Sequence, residues 1–172
     1  MGERGFKALR VGRLSVKSAL AALLLVLALP VSGAFAQCNA RAIEGFLEQD
    51  YFSLEPIDKI ELYAPMVERF FTKRFVTRRA VAAEIRRFVR RWPRRDYRLL
   101  SIRSLRNISQ RRCRVTFDYR FLAESANGAR TSAGIGVTTL VFRLNSANRT
   151  EIVEETGTVS CRGILAYRRG QC

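Results

Sequence analysis

The sequence predicts an α+β domain in which N-terminal helices pack on a curved antiparallel sheet. Three observations predict it. Apolar residues recur at helical spacing between residues 40 and 92. After Pro93 the period changes from helical to two. Four strand-like runs separated by turn residues then follow. A long, curved meander covered by helices makes a cone with a concave face.

Residues 1–36 read as a cleavable secretory signal peptide. Arg4, Lys7, Arg10, Arg13 and Lys17 stand against the single Glu3. Ser18 to Leu29 is an apolar run too short to span a bilayer. Pro30 breaks it, and Ala34-Phe35-Ala36 supplies small residues at the two positions a signal peptidase reads. Cleavage there leaves 136 residues, from Gln37 to Cys172. That length suits one domain with a basic C-terminal tail, and the implied location is exported, periplasmic or secreted.

Ala40 to Phe52 reads as a helix, with Ile43, Phe46 and Leu47 on one face. Pro56 suits the first turn of a second, short helix through Tyr63, which Ala64-Pro65 ends. A short strand is expected at Val67–Phe71. Thr77 is the expected cap of a helix from Arg78 to Arg91. On it Val81, Ile85, Phe88, Val89 and then Trp92 form an apolar stripe, with Arg86, Arg87, Arg90 and Arg91 facing away.

Tyr97 to Leu105 is expected as the first long strand, with a parity break between Ile102 and Leu105 that reads as a bulge. Arg112 to Leu122 is the clearest strand: Cys113, Val115, Phe117, Tyr119 and Phe121 alternate with polar residues. Asn127-Gly128 signals a hairpin turn. Ile135 to Leu144 is apolar on both parities and therefore central, and Glu151 to Cys161 is the last strand. Residues 162–172 are left as a tail.

Cys38, Cys113, Cys161 and Cys172 are even in number, have no CxxC spacing, and accompany no histidine. Two disulfides are expected in place of a zinc site. Three connectivities are open; the short loop that Cys161–Cys172 would close favours that pair, with Cys38–Cys113 as the other. The chain has 31 basic and 15 acidic side chains, and residues 37–172 retain a net charge of +12. Such a balance attracts polyanions. Arg86, Arg87, Arg90, Arg91 and Arg94 are the candidate polyanion patch, weighed against a simple solvated helix face.

Four local motifs carry a resemblance. They are Tyr63-Ala64-Pro65-Met66-Val67, Arg91-Trp92-Pro93-Arg94-Arg95-Asp96-Tyr97, Cys113-Arg114-Val115 and Glu155-Thr156-Gly157-Thr158-Val159. Together, over roughly residues 40–161, the chain resembles a bacterial exported branch of the nuclear transport factor 2-like, or SnoaL-like, superfamily. The resemblance implies an NTF2-like cone. It also implies either a binding module or an enzyme with a carboxylate base deep in the cone, because the fold hosts both.

Absence of histidine removes Ser–His and Cys–His nucleophile systems, Asp–His dyads and histidine metal sites. The remaining candidate pocket residues are Tyr63, Trp92, Tyr97, Asp118, Tyr119 and Glu155. For Asp118 the competing expectation is a cross-strand arginine pair on the solvated face, since it shares its parity with Arg112, Arg114 and Arg120. For Trp92 it is the core, and for Glu155 an ion pair with Arg95. No catalytic residue, metal or cofactor is assigned. The leading expectation is a non-catalytic binding or accessory domain of the cell envelope that contacts an anionic surface or acidic polymer. The alternative is a small-molecule lyase, isomerase or hydrolase using a pocket carboxylate. A small hydrophobic ligand fits either, nucleic acid is disfavoured, and the oligomeric state is left open.

Overall fold

A computed structural model describes residues 38–172 except Leu54, Pro56, Ile57 and Asn148. The expected signal segment, Gln37 and the Pro56 helix start lie outside the described residues. Asn39 caps α1 (Ala40–Phe46), its side chain accepting from the Ala42 amide. The chain continues without a break into a π-helical turn, Leu47–Tyr51, closed by the Phe52 amide donating to the Leu47 carbonyl at 2.9 Å. A 3₁₀ turn follows at Asp58–Leu62.

β1 (Met66–Phe70) and β2 (Lys73–Thr77) form a hairpin, where the sequence pattern predicted only one strand. Alternation is lost in β2 because it is an edge strand, four of whose five residues are exposed. α2 spans Arg78–Arg91, capped by the Thr77 hydroxyl accepting from the Ala80 amide. Four long strands complete the sheet: β3 (Arg94–Ser109), β4 (Arg112–Glu124), β5 (Thr131–Leu144) and β6 (Thr150–Arg162). The expected tail contains a further helix, α3 (Ile164–Arg169), which packs on β5 and β4.

The sheet order is β2-β1-β6-β5-β4-β3. All pairings are antiparallel except β1 with β6, which run parallel with Phe70 opposite Glu155. β3 shifts register between Leu99 and Ser101, between Ile102 and Ser104, and again near its end. The middle shift is the parity break seen in the sequence, and such bulges bend a strand. β5 is central, and its consecutive Leu140, Val141 and Phe142 are all buried, as a strand covered on both faces requires.

The core lies in the concavity, where Ile43 and Leu47 meet Val115, Phe117, Leu140 and Ile152, all fully buried. Phe117 and Tyr119 share the inner parity of β4. Disulfides join Cys38 to Cys113 and Cys161 to Cys172, tying α1 to β4 and the end of the chain to β6. No helix among the described residues is long and apolar enough to cross a membrane.

Candidate functional site

At the floor of the concavity, β6 turns the side chain of Glu155 inward beside β1. The Phe71 amide donates to the Glu155 carbonyl at 2.7 Å, which holds the backbone there. The residue is 7% exposed, so its carboxylate needs internal partners. It has two. Oε1 accepts from the Tyr51 hydroxyl at 2.9 Å, and Oε2 accepts a short hydrogen bond from the Tyr63 hydroxyl. Tyr51 comes from the π-helical turn. Tyr63 follows the 3₁₀ turn and is bridged to Ile152 of β6.

Above this floor opens a cavity of about 570 Å³, walled largely by aromatic rings. Tyr97 and Tyr119 form one wall, while Phe71 and Phe88 stand at the mouth, each 43% exposed. Tyr119 lies across Gly136, its partner on β5, and a Cβ there would come within 2.6 Å of the phenol. Glycine at 136 thus makes room for the ring. Lys59, half-buried on the 3₁₀ turn, places Nζ 4.0 Å from the centroid of the Tyr51 ring. Arg95 enters from β3. Its guanidinium is held by the carbonyls of Trp92 and Pro93, the latter at 3.2 Å.

These surroundings set protonation. Burial pushes the Glu155 carboxyl above its usual range, opposed by the Tyr63 hydrogen bond, the Lys59 charge and the Tyr51 hydrogen bond. Burial, reinforced by that carboxylate, holds Tyr51 and Tyr63 well above the usual phenol range, so both remain donors. Tyr97 and Tyr119 are raised for the same first reason, desolvation. A carboxylate whose proton affinity is raised in an apolar cavity is suited to general acid–base work. No group of three or more metal-ligating side chains occurs among the described residues.

Of the six candidate pocket residues, Tyr63, Tyr97, Tyr119 and Glu155 line the cavity together. Asp118 does not. It points to the opposite face, where Arg103 grips it through Nε at 2.6 Å and Nη2 at 2.7 Å. The arginine-pair expectation was thus right in kind, with the partner on β3. Trp92 does not line the cavity either, nor is it buried in the core. It is half-exposed at the C-terminal cap of α2, its amide donating to the Phe88 carbonyl. The apolar stripe of α2 divides accordingly. Val81 is buried, whereas Ile85 and Phe88 turn to the cavity mouth. The Arg95–Glu155 ion pair does not form; Arg95 lies 3.9 Å from Glu55.

Arg86, Arg87, Arg90, Arg91 and Arg94 are all exposed. Arg87 pairs with Glu84 at 3.3 Å and Arg94 with Glu124 at 3.2 Å. Tyr51 and Lys59 were missed as site residues. Tyr51 sits four residues after Leu47 on the same buried face of the first helix. That spacing was a signal for an inward phenol. Lys59 carried a different one, as a rare lysine in an arginine-rich chain.

Solved structures share this architecture. A hexachlorocyclohexane dehydrochlorinase, LinA type 3, from Novosphingobium barchaimii LL02 superposes with a TM-score of 0.59 at 13% identity. The match covers 72% of this chain and 88% of that one. The fold is NTF2-like. A nuclear transport factor 2-like superfamily protein from Salmonella enterica matches the NTF2-like cone with a TM-score of 0.52 at 14% identity, over 73% of this chain and 88% of its own. A candidate scytalone dehydratase from Novosphingobium aromaticivorans matches at 0.59 and 11% identity, over 72% and 85%. No protein-family model and no curated protein matches the sequence. Identities this low establish the fold and leave activity to the site itself.

Proposed function

We propose that the cone binds a small, largely apolar molecule and that Glu155 exchanges a proton with it, in a lyase- or isomerase-type reaction. The observation that supports this reading is the carboxylate itself, buried at the floor of an open aromatic cavity and held by two phenols. A cone filled by its own side chains would have favoured pure binding; this one is open. Among the solved structures with this fold are a dehydrochlorinase and a candidate dehydratase, both elimination enzymes by name.

In this reading Glu155 removes a proton from a carbon next to a carbonyl. Tyr51 and Tyr63 orient the carboxylate and share its charge once it has ionised. The proton then returns at another carbon, or a leaving group departs. Tyr97, kept protonated by burial, is placed on the wall as a donor to substrate oxygen. The test is deuterium exchange. A panel of aryl ketones is incubated with the protein in D₂O and followed by NMR. Exchange at the α-carbon should exceed the buffer rate and fall about 100-fold or more in Glu155→Gln, the usual scale for a general base. Ketones that bind but exchange only at the buffer rate, with wild type and variant alike, would leave a binding cone without catalysis.

A second reading concerns location. Two disulfides are what an oxidising compartment preserves. Arg86, Arg90 and Arg91 are exposed on one helix and make no salt bridge among the described residues. We propose that the protein is exported and that this face touches an anionic envelope surface or acidic polymer. Binding to anionic vesicles should weaken as salt rises. Changing Arg86, Arg87, Arg90 and Arg91 together to Gln should reduce it without unfolding the protein. Equal binding by both proteins at low salt returns the face to plain solvation.

A further inference from the structure

Lysine is used sparingly and in one place. Residues 38–172 contain only two lysines, Lys59 and Lys73, and both line the cone. Every other basic side chain in that span is arginine, whose guanidinium does not give up its proton in a protein. Lys73 stands at the mouth, 56% exposed and ion-paired with Glu84. Lys59 is set deeper, against the ring of Tyr51, whose hydroxyl donates to Glu155. Among the described residues it makes no salt bridge and no hydrogen bond.

An ammonium in this position is poorly solvated. Burial lowers the Lys59 pKa to about 8, with Arg95 adding to the shift and the Glu155 charge opposing it. Lowering it from 10.5 raises the neutral fraction at pH 7.5 from about one in a thousand to about one in four. The neutral amine is a nucleophile beside an open cavity, with a proton-carrying group close by.

We propose that Lys59 is a carbonyl-capturing amine, its Nζ condensing with the aldehyde or ketone of an apolar molecule held in the cone to form a Schiff base. The inference names the substrate class of the site and rests on the cone being a small-molecule site. The neutral Nζ attacks the carbonyl carbon. A C–N bond forms, the carbonyl π pair moves to oxygen, and the nitrogen proton is transferred to that oxygen. In the resulting carbinolamine the nitrogen lone pair closes the C=N bond as the C–O bond breaks. A proton from the Glu155 carboxyl leaves with the hydroxyl as water, and the second nitrogen proton returns to the carboxylate. Amine plus carbonyl thus become imine plus water, with no oxidant or reductant. Protonated, the imine withdraws electrons from the adjacent carbon, which is where Glu155 would act as base.

The experiment is reductive trapping. Purified protein with its disulfides intact is incubated with 2-naphthaldehyde and sodium cyanoborohydride, and the modified amines are mapped by peptide mass spectrometry. In parallel, binding of 2-naphthalenemethanol, which has no carbonyl, is followed by quenching of intrinsic fluorescence. At pH 7.5 Lys59 should be alkylated at least about tenfold faster than Lys73, because burial leaves a substantial share of the Lys59 amine neutral. Its rate should reach half-maximum near pH 8, and Lys59→Arg should remove that label. Labelling of Lys73 as fast as Lys59, or a Lys59 midpoint near 10, would overturn the proposal. Alcohol binding without trapping at Lys59 removes the role of the lysine and leaves the cone as a small-molecule site. Neither binding nor trapping removes both. Should Lys59→Arg lose its fold by circular dichroism, the wild-type site map and pH profile decide the matter alone.

Discussion

Tyr63 and Glu155 stand 92 positions apart in the chain, and the phenol of one donates to Oε2 of the other on the floor of the cone. The contact joins the segment after the 3₁₀ turn to the last strand and orients a carboxylate buried at the floor of the cavity. Tyr63→Phe leaves that oxygen without a donor. The expected loss of stability is about 1–3 kcal/mol at neutral pH. It should shrink in acid, because the lost bond favours the charged carboxylate. Urea unfolding at pH 8 and pH 5 measures the difference; an equal loss at both would mean that the hydroxyl supports packing alone.

Glu155 itself makes stability depend on pH. Burial raises its folded pKa above the ordinary 4.5, so the folded state holds this proton more tightly than the unfolded chain does. The resulting penalty is absent below about pH 4.5 and grows as pH rises through the folded value. Glu155→Gln removes the charge at every pH. Its melting temperature relative to wild type should therefore climb between pH 4 and pH 8. A pH-independent difference in thermal melts would contradict the assignment.

Lys59 contributes with the opposite slope. Its folded pKa is lowered to about 8, so the unfolded chain binds the proton more tightly between there and 10.5. Wild type should gain stability over Lys59→Met as pH rises from 7.5 to 9.5, read from paired thermal melts. A gap that stays constant over this range would place the amine in ordinary solvent.

Phe117 is fully buried on the inner parity of β4, edge-on to Tyr51. Phe117→Ala should cost about 3–5 kcal/mol, the range for a large aromatic leaving a cavity. Chemical denaturation measures it, and a loss below about 1 kcal/mol would show that the face tolerates an empty space.

The two disulfides should differ in weight. Cys38–Cys113 spans 75 positions and Cys161–Cys172 only 11. Loop closure restricts the unfolded chain more for the longer span. Replacing Cys38 and Cys113 by Ser should cost about 2–5 kcal/mol, and replacing Cys161 and Cys172 less. Reversal of that order in denaturant unfolding would locate the effect in native contacts.

Local pattern determined much of this protein. Thr77 with the spacing of Val81 and Ile85 marked α2, because a cap and a 3.6-residue period are properties of one short segment. Strict alternation from Cys113 to Phe121 marked β4 and which of its side chains turn inward, and Asn127-Gly128 marked the turn that follows. The candidate list likewise contained Tyr63, Tyr97, Tyr119 and Glu155, each inward by parity or position. Only the tertiary structure decided which of them meet. The parallel seating of β1 on β6, the π-helical turn that delivers Tyr51, and the 3₁₀ turn that aims Lys59 depend on contacts between distant segments. Asp118 and Trp92 show the same limit from the other side. Their chemistry suited a pocket, but the pleat turned one outward to Arg103 and the end of α2 left the other at the surface. A carboxylate becomes a site through the desolvation and donors that the whole fold arranges around it, and those do not exist until the chain has closed.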